Sequence, residues 1–160
     1  MSLNEFTRLR NHCYEADNGF LIWQITPKDS SRTFDLDGDN GIIVAHVLVL
    51  DGWLEVQYRE NTHILEKNDF GHFIHGTNIR VAAISDNINA YFIVTTDSYN
   101  TALFKNRSPL SFSIVTRALQ QPVTTLSSKH LLSLSFRMQC IKDVAANQKH
   151  IFRNEIISVH

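Results

Sequence analysis

Two histidines stand three residues apart in the stretch NDFGHFIHG, at His72 and His75. Imidazole nitrogens bind transition metals, and on a helix two histidines at this spacing share a face and can ligate one ion. Glycines flank the segment and aromatic and β-branched residues fill it, which indicates a β-strand. On a strand, residues three apart point to opposite sides. We therefore expect that these two histidines do not hold one metal together.

The aspartates of DLDGDNG (Asp35, Asp37 and Asp39) have the alternate spacing with which an EF-hand calcium loop begins. The sixth position of such a loop requires glycine and holds Asn40, and the twelfth requires a bidentate glutamate and holds His46. A strand rather than a helix is predicted to follow. We therefore expect a solvated turn without calcium.

Catalytic motifs are missing from the sequence: it contains no G-x-S-x-G, no Walker loop, no G-x-G-x-x-G and no H-E-x-x-H. Histidines and serines are frequent, but none forms a readable pair of nucleophile and base. We therefore predict no catalytic residue, no enzyme activity and no cofactor.

The composition is that of one globular domain, with 160 residues, 43% hydrophobic and 19% charged. The net charge of −1 provides no basic field for a phosphate backbone, so this segment is not expected to bind nucleic acid itself. The apolar run GIIVAHVLVLDG is too short to cross a membrane, and the N-terminus has no secretory signal pattern. The isolated Cys13 and Cys140 fit a reducing compartment. We expect a cytoplasmic protein.

The pattern changes near Thr96. From about residue 20 to that point, short segments rich in β-branched and aromatic residues alternate with turn signals, which is typical of an antiparallel sandwich or barrel. We therefore divide the chain into a β-barrel with an N-terminal arm (1–96) and a helical segment (97–160).

Helix signals fill the second part. Asp97 is predicted to cap a short helix through SYNTALFKN, and Ser127 to cap a longer one. One face of the longer helix carries an apolar stripe formed by Leu131, Leu134, Met138 and Ile141. The last segment, HIFRNEIISVH, is predicted as a further helix. It stops without a terminating residue, so we expect the protein to continue beyond His160.

The run VLVLDGWLEVQYRENTHILEKNDFGHFIHG resembles a cupin core, and the whole chain is similar to the N-terminal domain of AraC-type transcription regulators. The segments that carry the resemblance are LDGWLEV, LEKNDF, TTDSYNTALF and QPVTTLSSKHLL. It implies a mainly β fold, a cupin-like antiparallel barrel or jelly roll followed by a small C-terminal helical segment. It also implies a domain for ligand sensing, dimerisation or both, which contacts DNA only through a further C-terminal domain.

Metal-binding cupins carry two conserved blocks of ligands, and this sequence lacks them. Aligning the first block on Gly52 places its glutamate at Ala45, and aligning the second on Asn68 places its histidine at Ile79. We therefore expect no metal. His46, His63 and His72 lie on different predicted strands, and their convergence on one ion is the less favoured alternative.

A small-molecule effector, a sugar or another metabolite, is expected to bind in the barrel mouth. Ligand pockets combine apolar walls with a few polar groups, which points to polar-tipped aromatic residues and histidines on strands. The candidates are Trp23, His46, Tyr58, His72 and Tyr91. Ordinary core packing is the alternative for each of them, because alternation alone does not tell which face is inside.

The longer helix is expected to form a homodimer. Its stripe of Leu131, Leu134, Met138 and Ile141 can be buried against one partner surface. Leu132 and Phe136 lie on another side of the helix and require a second partner surface. Packing of the last helix on that second surface is the intrachain alternative. Two other functions remain open: a small cupin enzyme, isomerase or dioxygenase, with a non-standard metal site, and a stand-alone carbohydrate-binding module.

Overall fold

The structure is a computed structural model that describes most of the barrel and the C-terminal helix. The backbone is described for residues 13–15, 20–28, 34–36, 44–74, 79–95, 116–117 and 119–158, and the side chains for residues 22–28, 44–74, 79–95, 116–117, 119–144. His75, the loop 37–43 and the predicted helix at SYNTALFKN lie outside these ranges.

The described part contains ten strands, one long helix and further helical residues at 116–117 and 119–120. The strands are β1 Cys13–Glu15, β2 Phe20–Ile25, β3 Phe34–Leu36, β4 Val44–Asp51, β5 Trp53–Tyr58, β6 Asn61–Glu66, β7 Asp69–Ile74, β8 Ile79–Ile84, β9 Asn89–Thr95 and β10 Val123–Thr125. The helix, α1, is Ser128–Ser158.

The strands form two antiparallel sheets. The large sheet has the order β1-β2-β9-β4-β7-β10, and the small sheet has the order β3-β8-β5-β6. One apolar core lies between them, with Val47 and Phe92 from the large sheet against Leu54 and Val81 from the small one. This arrangement confirms the predicted class, a mainly β antiparallel barrel or jelly roll followed by a C-terminal helical segment.

The centre of the core is filled by aromatic rings. Phe73 and Trp23 are fully buried, and Gly71 provides room for the Phe73 ring. A Cβ atom built on Gly71 would lie 2.6 Å from Phe73 and 2.8 Å from Leu65. A glycine is therefore needed here for close packing, and the interior is occupied by the chain's own side chains.

The hairpin between β6 and β7 fixes the start of the helix. Asn68 adopts a left-handed φ of 75°, and its carbonyl accepts a hydrogen bond from the Leu126 N–H at 2.9 Å. Asp69 Oδ1 accepts a hydrogen bond from Thr125 Oγ1 at 2.6 Å. These contacts hold β10 against β7 and bring the chain to the first residue of α1.

Helix α1 packs along the large sheet. The Ser127 hydroxyl accepts a hydrogen bond from the His130 N–H at 3.4 Å, which confirms Ser127 as the N-cap. With 31 residues the helix is about 46 Å long. In the parts of the chain that the structure describes, no helix is long and apolar enough to cross a bilayer.

Three details differ from the sequence-based prediction. The chain returns to the sheet after Pro122, because the β-branched triplet Val123–Thr125 pairs with the open edge of β7. The last segment does not begin a separate helix but continues α1 without interruption. Asp35, placed in a turn by the sequence, lies in β3 and pairs with Arg80 of β8.

Candidate functional site

Helix α1 packs on the surface of the large sheet that faces away from the small sheet. Residues of β2, β4, β7 and β9 meet the first three turns of the helix there. We call this contact the helix–sheet interface, and it consists of Ile22, Leu48, Leu50, Phe70, Tyr91, Ile93, Leu126, Leu131, Leu134 and Met138. Strand alternation places the even-numbered residues of β4 and β7 on this outer face, including both histidines of these strands.

His46 and His72 lie side by side on the outer face. They are direct cross-strand partners in the pairing of β4 with β7, and their ring centroids are 4.3 Å apart at an interplanar angle of 71°. Phe70 lies beside both, with centroid distances of 6.0 Å to His46 and 6.5 Å to His72. The two imidazoles therefore form a contiguous pair bordered by an aromatic ring of the helix–sheet interface.

The environment keeps this pair neutral. Burial, together with the neighbouring His72, lowers the pKa of His46 from 6.5 to about 3. Burial also lowers the pKa of His72. Both imidazoles are therefore uncharged at neutral pH, and each has one ring nitrogen with a free lone pair.

Tyr91 connects the sheet to the helix through its hydroxyl. The hydroxyl donates a hydrogen bond to Gln139 Oε1 at 2.6 Å, and Gln139 Nε2 donates one to Asp143 Oδ1 at 2.8 Å. Burial raises the pKa of Tyr91, and Asp143 adds to this effect because a second negative charge nearby is unfavourable. The tyrosine is therefore a neutral hydrogen-bond donor at neutral pH.

A second polar link lies beside it. Lys142 Nζ donates a hydrogen bond to Gln24 Oε1 at 2.6 Å, and Gln24 Nε2 donates one to Asn89 Oδ1 at 3.1 Å. The two links fix α1 in one register on the sheet, because hydrogen bonds are directional whereas apolar contacts are not.

Replacing Tyr91 with Phe is expected to lower the free energy of unfolding by about 0.5–1.5 kcal/mol, the usual net contribution of one hydrogen bond. Urea denaturation of Tyr91→Phe, Gln139→Ala and the double variant checks this. If the bond is formed, the double variant loses less than the sum of the single losses. Additive losses would contradict it.

The five predicted ligand residues are divided between the outer face of the large sheet and the core between the two sheets. His46, His72 and Tyr91 are on the outer face, whereas Trp23 and Tyr58 belong to the core between the sheets. The Tyr58 hydroxyl donates a hydrogen bond to the Ile74 carbonyl, and its ring packs on Phe73 with centroids 5.2 Å apart. The structure does not bring all five into one pocket, because neighbouring strand residues point in opposite directions.

The three histidines named as an alternative metal set do not converge. His63 faces the inner side of β6, with ring centroids 6.0 Å from Phe73 and 6.4 Å from Tyr58. His46 and His72 lie on the opposite side of the large sheet. Within the described residues, no three side chains of His, Cys, Asp or Glu come close enough to hold one ion.

The stripe predicted as a dimer interface mostly packs on the chain's own sheet. Leu131 and Leu134 are half-buried, and Met138, only 2% exposed, is buried in the helix–sheet interface. Ile141 lies at its margin with 37% of its surface exposed. An apolar helix face beside an open sheet is covered by that sheet first, since both belong to one chain.

The far side of α1 is apolar as well. Leu132 is 72% exposed, Phe136 70% and Val144 56%, and we call these three residues the exposed stripe. They follow one another at intervals of four or eight residues, so they form a ridge along the helix, and the exposed Cys140 lies on the same ridge. Helix α1 therefore has a second apolar face.

Several site residues were not foreseen from the sequence. Phe70, Gln24 and Lys142 acquire their roles only when distant segments meet, and no local pattern marks them. The hydrogen bond between Gln139 and Asp143 could have been predicted from the sequence, because residues four apart on a helix can hydrogen-bond.

Comparison with solved structures finds cupin domains and a transcription regulator. The chain is similar to an HTH_3 family transcriptional regulator from Vibrio cholerae, with 20% identity, a TM-score of 0.39, and coverage of 51% of this chain and 46% of that one. It is similar to the cupin domain of Cnp3 from Schizosaccharomyces pombe, with 12% identity, a TM-score of 0.41, and coverage of 61% and 70%. It is also similar to the Cupin_2 domain of an XRE family transcriptional regulator from Enterobacter cloacae, with 15% identity, a TM-score of 0.37, and coverage of 48% and 78%.

The chain spans less than half the length of the Vibrio protein. No family model and no curated protein matches the sequence.

Proposed function

We propose that this chain is the regulatory domain, ligand-sensing, dimerising or both, of an AraC-type DNA-binding transcription regulator. The observation that carries the proposal is the two-sided helix α1, which buries Met138 against the barrel and leaves Phe136 70% exposed on its far side. A helix that only covers a barrel needs one apolar face. A regulator that holds two DNA-binding domains at a fixed separation needs a second face for its partner.

The occupant we propose for the exposed stripe is a second copy of the chain. Identical helices meeting across a two-fold axis cover the same residues on both sides, so one stripe serves both protomers. Large apolar side chains exposed together on one ridge are typical of interaction sites. This moves the proposed interface from Leu131, Leu134 and Met138 to Leu132, Phe136 and Val144.

The remaining parts of the proposal follow from the same role. Contact with DNA belongs to a separate domain, in keeping with the net charge of −1. The chain is proposed to act in the cytoplasm and not as an enzyme, since the cupin ligand positions hold Ala45 and Ile79. An effector such as a sugar or another metabolite is proposed to bind beside His46, His72 and Tyr91 rather than at the buried Trp23 and Tyr58. Binding there would change the register of α1.

Sedimentation velocity tests the dimer. We expect the unmodified chain to sediment as a dimer at micromolar concentration, and Leu132→Glu with Phe136→Glu to give a folded monomer, because two charges per protomer would be buried in the interface. Thr62→Glu adds a charge at an exposed position of β6 in the small sheet, away from α1, and should leave the dimer intact. A chain that remains monomeric at high concentration contradicts the proposed interface.

A further inference from the structure

His46 and His72 are held side by side by the backbone itself. Their strands pair in register from Val44 with Ile74 to Leu48 with Phe70, so the two Cα atoms are fixed opposite each other within a continuous sheet. Cross-strand partners on one face of an antiparallel pair have their Cβ atoms about 4.5–5.5 Å apart. The pair is therefore preorganised and does not depend on a loop.

We propose that His46 and His72 form a two-histidine chelate for one divalent transition-metal ion of the Cu²⁺, Ni²⁺ or Zn²⁺ class, on the outer face of the large sheet.

The ring separation fits such a chelate. A metal–imidazole bond of about 2.0–2.1 Å places the ion roughly 3.2 Å from the ring centroid, so two imidazoles at a right angle about the ion have centroids about 4.5 Å apart. The centroids of His46 and His72 are 4.3 Å apart, and the rings are inclined by 71°. The centroid separation is therefore that of two imidazoles that bind one ion through one nitrogen each.

The hydrogen-bonding state of the pair points the same way. Within the described residues no hydrogen bond reaches either imidazole, although both side chains are half-buried. The ring nitrogens of the pair are therefore not engaged by another described side chain.

This site is distinct from the one that the sequence comparison excluded. The positions of the lost cupin ligands, Ala45 and Ile79, lie in the core between the sheets, whereas His46 points to the other side. The sequence-based expectation of no metal rested on these lost ligand positions, and the proposal departs from it for the outer face. Two protein ligands leave the other positions to water, and the Irving–Williams order then favours Cu²⁺.

The first test is titration of the EDTA-treated chain with Cu²⁺ alone. Isothermal titration calorimetry measures the affinity and the stoichiometry, and electron paramagnetic resonance reports the coordinated nitrogens. We expect one ion per chain and a spectrum with two coordinated nitrogens. His46→Gln and His72→Gln should each weaken binding by at least about 100-fold, since even the loss of an outer-shell partner costs about 10–100-fold. His63→Gln, His75→Gln and His130→Gln serve as matched controls and should bind as the unmodified chain does.

Three outcomes would overturn the proposal: no binding of one ion per chain, a spectrum with fewer than two nitrogens, or binding that survives either His46→Gln or His72→Gln. The spectrum of the unmodified chain decides the matter even if a variant fails to fold. Metal binding does not depend on the proposed regulatory function, because the titration uses neither DNA nor a dimer, so the two proposals can fail separately.

Discussion

Met138→Glu is expected to lower the free energy of unfolding by at least about 2–5 kcal/mol, the usual cost of truncating a buried methionine. Met138 is 2% exposed and packs against Ile22, Leu48 and Tyr91 in the helix–sheet interface. A carboxylate at this position would lie among the apolar side chains of the helix–sheet interface, and the desolvation of its charge adds to the loss. Urea denaturation followed by circular dichroism measures the change.

Phe136→Glu is the matched control, two residues earlier on the opposite side of the same helix. Because Phe136 is 70% exposed, this change should alter the free energy of unfolding by no more than about 0.5 kcal/mol in dilute, monomeric protein. Equal losses for the two variants would mean that α1 does not lie on the sheet as described.

Phe73→Ala is expected to lower the free energy of unfolding by about 3–5 kcal/mol, as for other fully buried phenylalanines. The Phe73 ring lies in the core between the sheets, close to Gly71 and Leu65, and its centroid is 5.2 Å from that of Tyr58. Removing it leaves a cavity that the surrounding strands cannot fill without breaking their hydrogen bonds. Thermal and urea unfolding measure the loss.

The cavity left by Phe73→Ala can be tested by the binding of a small apolar molecule. Apolar cavities lined by aliphatic and aromatic side chains stay dry and bind small apolar molecules. Benzene should therefore raise the melting temperature of Phe73→Ala and leave that of the unmodified chain unchanged. Phe136→Ala, which removes the same ring from an exposed position, should lose little stability. A loss below about 1 kcal/mol for Phe73→Ala would indicate that the barrel interior is not packed.

The strands of the barrel were predictable, but their inner and outer faces were not. Strand β4 reads VAHVLVLD and is apolar on both sides, because Val47 faces the core and Leu48 faces α1. A strand buried on both faces loses the alternation that would reveal its orientation. Residue type and strand position therefore predicted His46 and Tyr58 together as pocket residues, although His46 lies on the outer face of the large sheet and Tyr58 in the core.

The helix illustrates the same limit. Its N-cap at Ser127 and the stripe of Leu131, Leu134 and Met138 follow from local pattern, and the structure has both. The partner of that stripe depends on where the helix lies, which is determined by β10 and by the bond between Thr125 and Asp69. The short triplet Val123–Thr125 carries too little pattern to be recognised as a strand. The pair His46–His72 likewise depends on the register of two strands.

The central claim is that this chain brings two copies of a DNA-binding domain together through the exposed stripe of α1. Fusing the chain to a DNA-binding domain that represses a reporter gene only as a dimer tests it most directly. We expect repression by the fusion with the unmodified chain, loss of repression with Leu132→Glu and Phe136→Glu, and full repression with the exposed β6 variant Thr62→Glu. A fusion that is produced and folded but does not repress, or repression that survives the double replacement, would contradict the account.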